Sequence, residues 1–367
     1  MKALLLTGGR GTRLRPLTYT KNKHALPIAN QPLVLYPFLN IVHAGIKKIG
    51  VIVNETRPEI EAILGSGKKW GVKIDYICQD HPGGLAHALS FGKDYIGKEK
   101  FVMVLGDNML QNHLAKYKNA FEKSGFAGYL LGKKVPLEDQ KRLGMATLNK
   151  EGEVLRYIEK PGVLDKSPIY NPEMSFSVAG FYFFESVVFN CFKGKGAIKP
   201  SSRGELEIAS PYNWLIEHGY KVGFKEVEGW WKDPGNPDDM FMTNRLVLSW
   251  KKNFSNKAKV TNSKIDDNVE IGKGSTVVDS TIRGPVVIGE KVIINSSFIG
   301  PYTAIGDSCE LNKVEIENSI LLSNVKVRNV PISLDSCLIG HNTEISEHTE
   351  TPRKMSLIVG DDARVVI

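Results

Sequence analysis

Cysteine is scarce. The 367 residues contain four, Cys78, Cys191, Cys309 and Cys337, scattered without the paired spacing of a zinc site or a redox motif. That excludes a disulfide-stapled scaffold and structural zinc, and leaves free thiols in a reducing compartment, the cytoplasm, as the expectation. Long apolar runs are missing too: none approaches the roughly 20 residues needed to cross a bilayer, so no membrane partner is expected. The first apolar run stops at a glycine turn after Leu6 and is too short for a secretory leader. Basic residues outnumber acidic ones, 48 to 40, giving a net charge of +8, yet no basic run is interleaved with aromatics. Small anionic substrates fit that pattern better than nucleic acid. With 42% hydrophobic and 24% charged residues the composition is that of a soluble globular protein, and the length argues for two domains.

What is present falls into two patterns. Up to about Leu246, strand-like runs ("KIGVIVN", "KIDYIC", "KFVMVLGD", "AGYLLGKKV", "SVAGFYFFE") alternate with amphipathic segments such as "EIEAILGSGKKWG" and "LAKYKNAFEKSG". The alternation predicts an α/β domain whose ligands gather at the carboxyl ends of its strands. From about Val260 aliphatic residues recur every six positions: Ile265, Ile271, Val277, then Ile282, Ile288, Ile294, then Ile299, Ile305, Leu311. Six-residue periodicity with small turn residues predicts a parallel β-helix. "TNRLVLSWKKNFSNKAKV" reads as a helix and a polar linker between the two, placing the domains at 1–250 and 251–367.

The first strand, "KALLL", runs into "TGGRGTRLRPLT". Gly8, Gly9 and Gly11 let main-chain N–H groups approach a ligand, while Arg10, Arg13 and Arg15 bring permanent charge, a combination suited to a polyanion such as a triphosphate. Lys23, shortly after, supplies charge where it would build up on a transferring phosphoryl or nucleotidyl group. In "QDHPGGLAHAL", Gln79 offers a donor and an acceptor that match the O4 and N3–H edge of uracil or thymine, with the Gly83–Gly84 turn and a helix start at Leu85 beside it. His81 and His87 are read as polar loop residues, because they lie at loop-to-helix spacing with no third ligand nearby. "VLGDN" ends a strand with Asp107 and Asn108; Asp233 comes much later and is held extended by Pro234. Either aspartate alone also suits a structural turn, but together they can share one Mg²⁺. Glu159 and Lys160 in "IEKP", and Arg203 in "SSRGELEI", offer a carboxylate for sugar hydroxyls and cations for a phosphate, or equally surface ion pairs.

Taken together and in order, "GGRGTRLRPLT", "KHALPIANQPL", "GGLAHAL", "VLGDN", "IEKP", "VAGFYFF", "RGELEI", "GYKV" and "GWWKDPGNPDD", followed by "IRGPVVIG" and "IGPYTAIG", cover nearly the whole chain. They resemble the sugar-1-phosphate nucleotidylyltransferases, in particular the long-form glucose-1-phosphate thymidylyltransferases. The resemblance implies a Rossmann-like mixed-sheet nucleotidyltransferase domain followed by a left-handed parallel β-helix of hexapeptide repeats. It implies that an oxygen of the sugar 1-phosphate attacks the α-phosphorus of dTTP in line, giving dTDP-sugar and pyrophosphate. By the same resemblance Arg13 and Lys23 are catalytic, and Gly8, Gly9, Gly11, Gln79, Gly84 and Leu85 bind the nucleotide. Asn108, Gly144, Glu159, Lys160, Val178 and Arg203 line the sugar-phosphate pocket, and Asp107 and Asp233 hold Mg²⁺.

Several positions depart from the family pattern. "LTGG" replaces "LAGG", "DPG" replaces "DTG" and removes a backbone donor beside Asp233, "RGELEIAS" lacks the usual acidic residue, and "LGM" replaces "FGV" around Gly144. The rival expectations are UTP in place of dTTP, a hexose 1-phosphate other than glucose, an added acetyltransferase activity with His341 as base, and a non-catalytic regulatory homologue. The β-helix is expected to assemble subunits into a homo-oligomer.

Overall fold

The computed structural model describes residues 1–9, 11–55, 57–161, 171–347 and 362. They fall into two compact units, one of Met1–Gly9 with Val34–Asp233, the other of Arg10–Leu33 with the chain from Pro234 onward. Among the described residues no helix is long and apolar enough to cross a membrane, and all four cysteines are free thiols.

The first unit is built on a nine-stranded mixed sheet. Its centre is parallel: Phe101–Leu105, Lys2–Leu6, Lys48–Val53 and Lys73–Cys78 lie side by side in that order. These runs are apolar on both faces because helices or loops cover both, and Ala3, Leu4 and Leu5 are fully buried. The long strand Ser175–Phe184 pairs antiparallel with Phe101–Leu105, Gly128–Lys133 and Gly144–Leu148, and the last continues antiparallel to Val154–Glu159. The ladder between Ser175–Phe184 and Gly128–Lys133 shifts register between Val178 and Tyr182, a bulge whose Gly180 N–H is accepted by Asn108 Oδ1 at 3.0 Å.

The second unit contains the β-helix. Three parallel sheets, of six, five and five short strands, form its faces, and hydrogen bonds between successive coils join residues 17 apart. Ile265, Ile282, Ile299 and Ile316 stack on one face and Val277, Ile294, Leu311 and Val327 on another. Ile271, Ile282, Ile294, Ile299 and Ile305 are fully buried in one core, and the six-residue run Ile282, Ile288 and Ile294 belongs to it. The helix Pro237–Trp250 precedes it, started by Pro237 in its first turn and by Asn236, whose side chain accepts the Asp239 N–H at 2.9 Å.

The segment from Gly11 to Leu33 belongs to this second unit. It ends in a hairpin, Pro27–Ile28 against Gln31–Pro32, whose two turn residues Ala29 and Asn30 have φ of 47° and 60°, the mirror-image turn that matches strand twist. Asn244 of the helix accepts the Ala29 N–H and donates to the Tyr302 carbonyl, each at 2.8 Å. Asn30 donates to the Ile305 carbonyl at 2.6 Å, and Ala29 packs against Leu248, Val287 and Ala304.

Candidate active site

In the first unit, the carboxyl ends of the central strands converge as expected for an open α/β sheet. Thr7, fully buried, makes two bonds to the Ile52 carbonyl, from its N–H at 3.0 Å and its hydroxyl at 2.9 Å. That fixes where the glycine loop leaves the sheet. Asn54 donates to the Gly8 carbonyl at 3.0 Å, and a Cβ on Gly8 would stand 3.3 Å from Gln79 Oε1. The carboxamide of Gln79 and the glycine loop are therefore neighbours. Asn54 was not among the expected site residues; its place at the end of "KIGVIVN" was the available signal.

Gly84 has φ of +102°, and a Cβ there would lie 2.5 Å from the Leu206 carbonyl oxygen. Leu206 N–H bonds to Gly83 O at 2.8 Å and Ala86 N–H to Leu206 O at 2.9 Å, so "RGELEI" is laced to the glycine turn that starts the helix Leu85–Phe91. Asp80, His81 and His87 gather at this turn. The spacing along the chain does not show that a carboxylate stands beside the two histidines: the chain doubles back at Gly83–Gly84, which brings the Asp80 carboxylate to them.

Asp107 and Asp233 are brought together by a short ladder. Trp231–Lys232 pairs antiparallel with Met109–Leu110, Lys232 opposite Met109, so both aspartates leave the ladder at the same end. Both charges act on the Tyr182 hydroxyl, whose pKa is raised by burial first, then by Glu159 and by the two aspartates. Asn108 is 1% exposed and its carboxamide is engaged at both atoms: it donates to Asp107 Oδ1 at 2.9 Å and accepts from Trp231 Nε1 at 2.7 Å and Gly180 N–H at 3.0 Å. Those bonds aim the Asp107 carboxylate. Two carboxylates at one ladder end are the hard oxygen donors that suit Mg²⁺.

Gly144 lies opposite Glu159 in its ladder. A Cβ on Gly144 would meet Tyr157 Oη at 2.7 Å and Glu159 Oε2 at 2.9 Å, so only glycine lets the Glu159 carboxylate lie over the strand. Tyr157 donates to Glu159 Oε2 at 3.3 Å. The pKa of Glu159 is raised, by burial first, against the lowering effect of Lys160; Glu207 raises it further and Arg203 lowers it. Lys160, at φ of 51°, is held by its N–H to Leu143 O at 3.2 Å. Arg203 is paired with Glu207, Nη2 to Oε1 at 2.8 Å. Val178 is buried at the bulge. The partners Tyr157, Tyr182 and Glu207 were not among the expected site residues, although Tyr182 stands in "VAGFYFF" and Glu207 in "RGELEI".

In the second unit, Gly11 has φ of +62°, and a Cβ there would meet Lys23 Cβ at 2.9 Å. Lys23 is 6% exposed and starts a 3₁₀ turn whose Asn22 cap accepts from His24 N–H at 2.9 Å. Arg13 lies against Gly235, where a Cβ would be 3.0 Å from Nη2. Gly11, Arg13, Lys23 and the glycine of "DPG" thus belong to one unit, while Gly8, Gly9, Gln79, Gly84, Leu85, Asp107, Asp233 and the Glu159 group belong to the other. Arg10 lies outside the described residues. His341 is exposed, its Nδ1 accepting from Ser323 N–H at 3.2 Å.

Residues 2–249 match the family model described as nucleotidyl transferase. Over its whole length the chain is 35% identical to a glucose-1-phosphate thymidylyltransferase of Streptomyces griseus, spanning 99% of that protein. It is 36% identical to the low-salt glycan biosynthesis nucleotidyltransferase Agl11 of Haloferax volcanii, spanning 100% of this chain and 99% of that one. Among solved structures, a putative glucose-1-phosphate thymidylyltransferase from Bacillus anthracis in complex with a sucrose superposes with a TM-score of 0.60 at 32% identity, covering 70% of this chain and 98% of that one.

Proposed function

The chain belongs to the nucleotidyl transferase family, and from that premise we propose that this enzyme transfers the thymidylyl group of dTTP to glucose 1-phosphate, releasing pyrophosphate. A phosphate oxygen of the sugar 1-phosphate forms a bond to the α-phosphorus as the bond to the β-phosphate oxygen breaks. No proton need move and no covalent enzyme intermediate forms, so positioning and charge stabilisation are the whole task. The observation that carries the reading is the close approach of Gly8 and Gln79: a phosphate-loop glycine and a pyrimidine-reading carboxamide at the carboxyl ends of the two strands that flank Lys48–Val53.

Arg13 and Lys23 neutralise the charge that grows on the α-phosphate and the leaving pyrophosphate. Gly8, Gly9 and Gly11 admit the triphosphate, Gln79 and the Gly84 turn read the base, and Leu85 packs beside it. Glu159 accepts from sugar hydroxyls, with Gly144 and Val178 as wall and Lys160 and Arg203 on the phosphate. Arg203 must share its charge with Glu207. Asp107 and Asp233 would hold Mg²⁺, which would supply charge stabilisation to the reacting phosphates. We place the functional division at residue 250, the enzyme in the cytoplasm, and the β-helix in assembly of a homo-oligomer.

The test is pyrophosphate release with Mg²⁺ across dTTP, UTP, CTP, ATP and GTP against the 1-phosphates of glucose, galactose, mannose and glucosamine. A maximum at dTTP with glucose 1-phosphate is expected, abolished by Asp107→Asn. A maximum at UTP or at another sugar reassigns Gln79 or the Glu159 pocket, and an Asp107→Asn variant with full turnover removes the metal assignment.

A further inference from the structure

The turn after the strand Lys73–Cys78 carries a cluster that the nucleotidyl transfer chemistry does not use. Asp80 Oδ1 lies 2.8 Å from His81 Nδ1 and 3.7 Å from His87 Nε2, and the three ligand atoms all fall within 4.8 Å of one another. In a tetrahedral zinc site with bonds of about 2.0–2.1 Å the ligand atoms stand about 3.3 Å apart, a value these two distances bracket. Gly83 makes the approach feasible, since a Cβ there would meet the His87 ring at 2.9 Å and His81 Nε2 at 3.3 Å. The His87 ring is held on its other side by the edge of Phe91, with centroids 5.0 Å apart. The side chains of His81 and Asp80 are open to solvent, at 66% and 65% exposure, while His87 is 16% exposed. An ion therefore has an entry path, and two imidazoles with one carboxylate form a donor set for a borderline-soft first-row divalent cation.

We infer that Asp80, His81 and His87 form a Zn²⁺ site, distinct from the Asp107–Asp233 pair, whose occupancy reverses the carboxamide of Gln79. Gln79 Nε2 lies 2.9 Å from His87 Nδ1, and an amide nitrogen only donates, so in this arrangement Nδ1 accepts and Nε2 carries the proton. A metal on Nε2 needs that nitrogen's lone pair, which moves the ring proton to Nδ1. The Nδ1–H then requires an acceptor, as metal-bound imidazoles generally find on their second nitrogen. Gln79 supplies one by turning its carboxamide over, which places the NH₂ where Oε1 now faces Gly8. The donor and acceptor presented to a pyrimidine edge are exchanged. Three protein ligands leave the fourth position for water. The linkage to substrate rests on the proposed reading of the base by Gln79; the metal site itself does not.

The test uses metal-free, full-length, untagged protein in excess Mg²⁺, titrated with Co²⁺ as a spectroscopic stand-in for Zn²⁺. One Co²⁺ per chain is expected to give a visible absorption band that Zn²⁺ displaces. Asp80→Asn and His81→Ala should each weaken binding at least about tenfold. Binding that both variants leave unchanged, or no binding in the wild type, overturns the site. In parallel, Zn²⁺ under saturating Mg²⁺ should raise the KM for dTTP several-fold in the wild type and leave His81→Ala unaffected. If Zn²⁺ acts equally on both, or if Co²⁺ binds as expected without any change in KM, the linkage to Gln79 is wrong. A chain that turns over no nucleotide yet binds Co²⁺ through His81 would refute the transferase reading while the metal site stands.

Discussion

Replacing Asn244 by alanine should disable the enzyme from a position whose contacts lie on the hairpin and the β-helix. Asn244 is 1% exposed and its carboxamide joins the Ala29 N–H to the Tyr302 carbonyl with two bonds of 2.8 Å. Truncation leaves both backbone groups without that partner, at about 1–3 kcal/mol each. At the two tip residues themselves, the Asn30 bond to Ile305 and the burial of the Ala29 methyl remain, together about 2 kcal/mol, beside the burial of Ile28. The loss matches or exceeds what Ala29 and Asn30 retain, so the hairpin tip should loosen locally before the β-helix melts. Lys23 lies four residues before this hairpin, and a misplacement of about 1 Å can cost a catalytic group about a hundredfold in rate. Initial rates of pyrophosphate release at 25 °C should show kcat reduced at least tenfold with the KM for dTTP within about twofold. Circular dichroism should show the fold retained and Tm lowered by several degrees. A variant with lowered Tm and full kcat would refute the reasoning, because it would show that the hairpin's attachment does not position Lys23.

Gly84→Ala should raise the KM for nucleotide by an order of magnitude or more, since the position combines φ of +102° with a Cβ contact of 2.5 Å to Leu206 O; steady-state kinetics over dTTP concentration will show it, and an unchanged KM removes Gly84 from the base site. Glu159 has a raised pKa in the folded state, so the proton it retains there favours folding below its ordinary value near 4.5, and that contribution disappears as pH rises through the raised value. Melting of wild type and Glu159→Gln from pH 4 to pH 8 should therefore show the wild type losing ground to the variant across that window, and parallel curves would refute the assignment. Gly144→Ala should raise the KM for sugar 1-phosphate and leave that for dTTP unchanged, because its Cβ would displace Tyr157 Oη and Glu159 Oε2; equal effects on both substrates would place Gly144 outside the sugar pocket.

How far the sequence could be read depends on the range over which each feature is determined. The β-helix was legible because its rule is local: Ile282, Ile288 and Ile294 are buried in one core for the same reason that they recur every six positions. The central strands were legible as apolar runs, and their carboxyl ends as the glycine loop, Gln79 and Asp107 following them. The short pairing of Trp231–Lys232 with Met109–Leu110 was not legible, since two residues on each side leave no periodicity. Nor was the destination of the hairpin tip: Ala29 in the left-handed region breaks the preference for glycine, and it is the packing of its methyl against Leu248 and Ala304 that rewards the exception. The histidine cluster was missed because spacing along the chain says nothing about how sharply Gly83 and Gly84 turn it.

The departures from the family pattern can be weighed by the same geometry. "LGM" around Gly144 touches the segment that faces Glu159, but alternate residues of a strand point to opposite faces. Gly144 is the one beneath Tyr157 and Glu159; Met145 is fully buried and its neighbours in the ladder are Ile158 and Ser177. The change from valine to methionine therefore alters the filling of the core, where an unbranched thioether adapts to the available space, while the glycine that admits the carboxylate is retained. "DPG" is similar. Pro234 gives up a backbone donor, yet Asp233 is placed by the Lys232–Met109 pairing on its other side, and Gly235, whose missing Cβ makes room for Arg13, is kept. At both places the glycine that sets a distance within the proposed chemistry, Gly144 or Gly235, is unchanged.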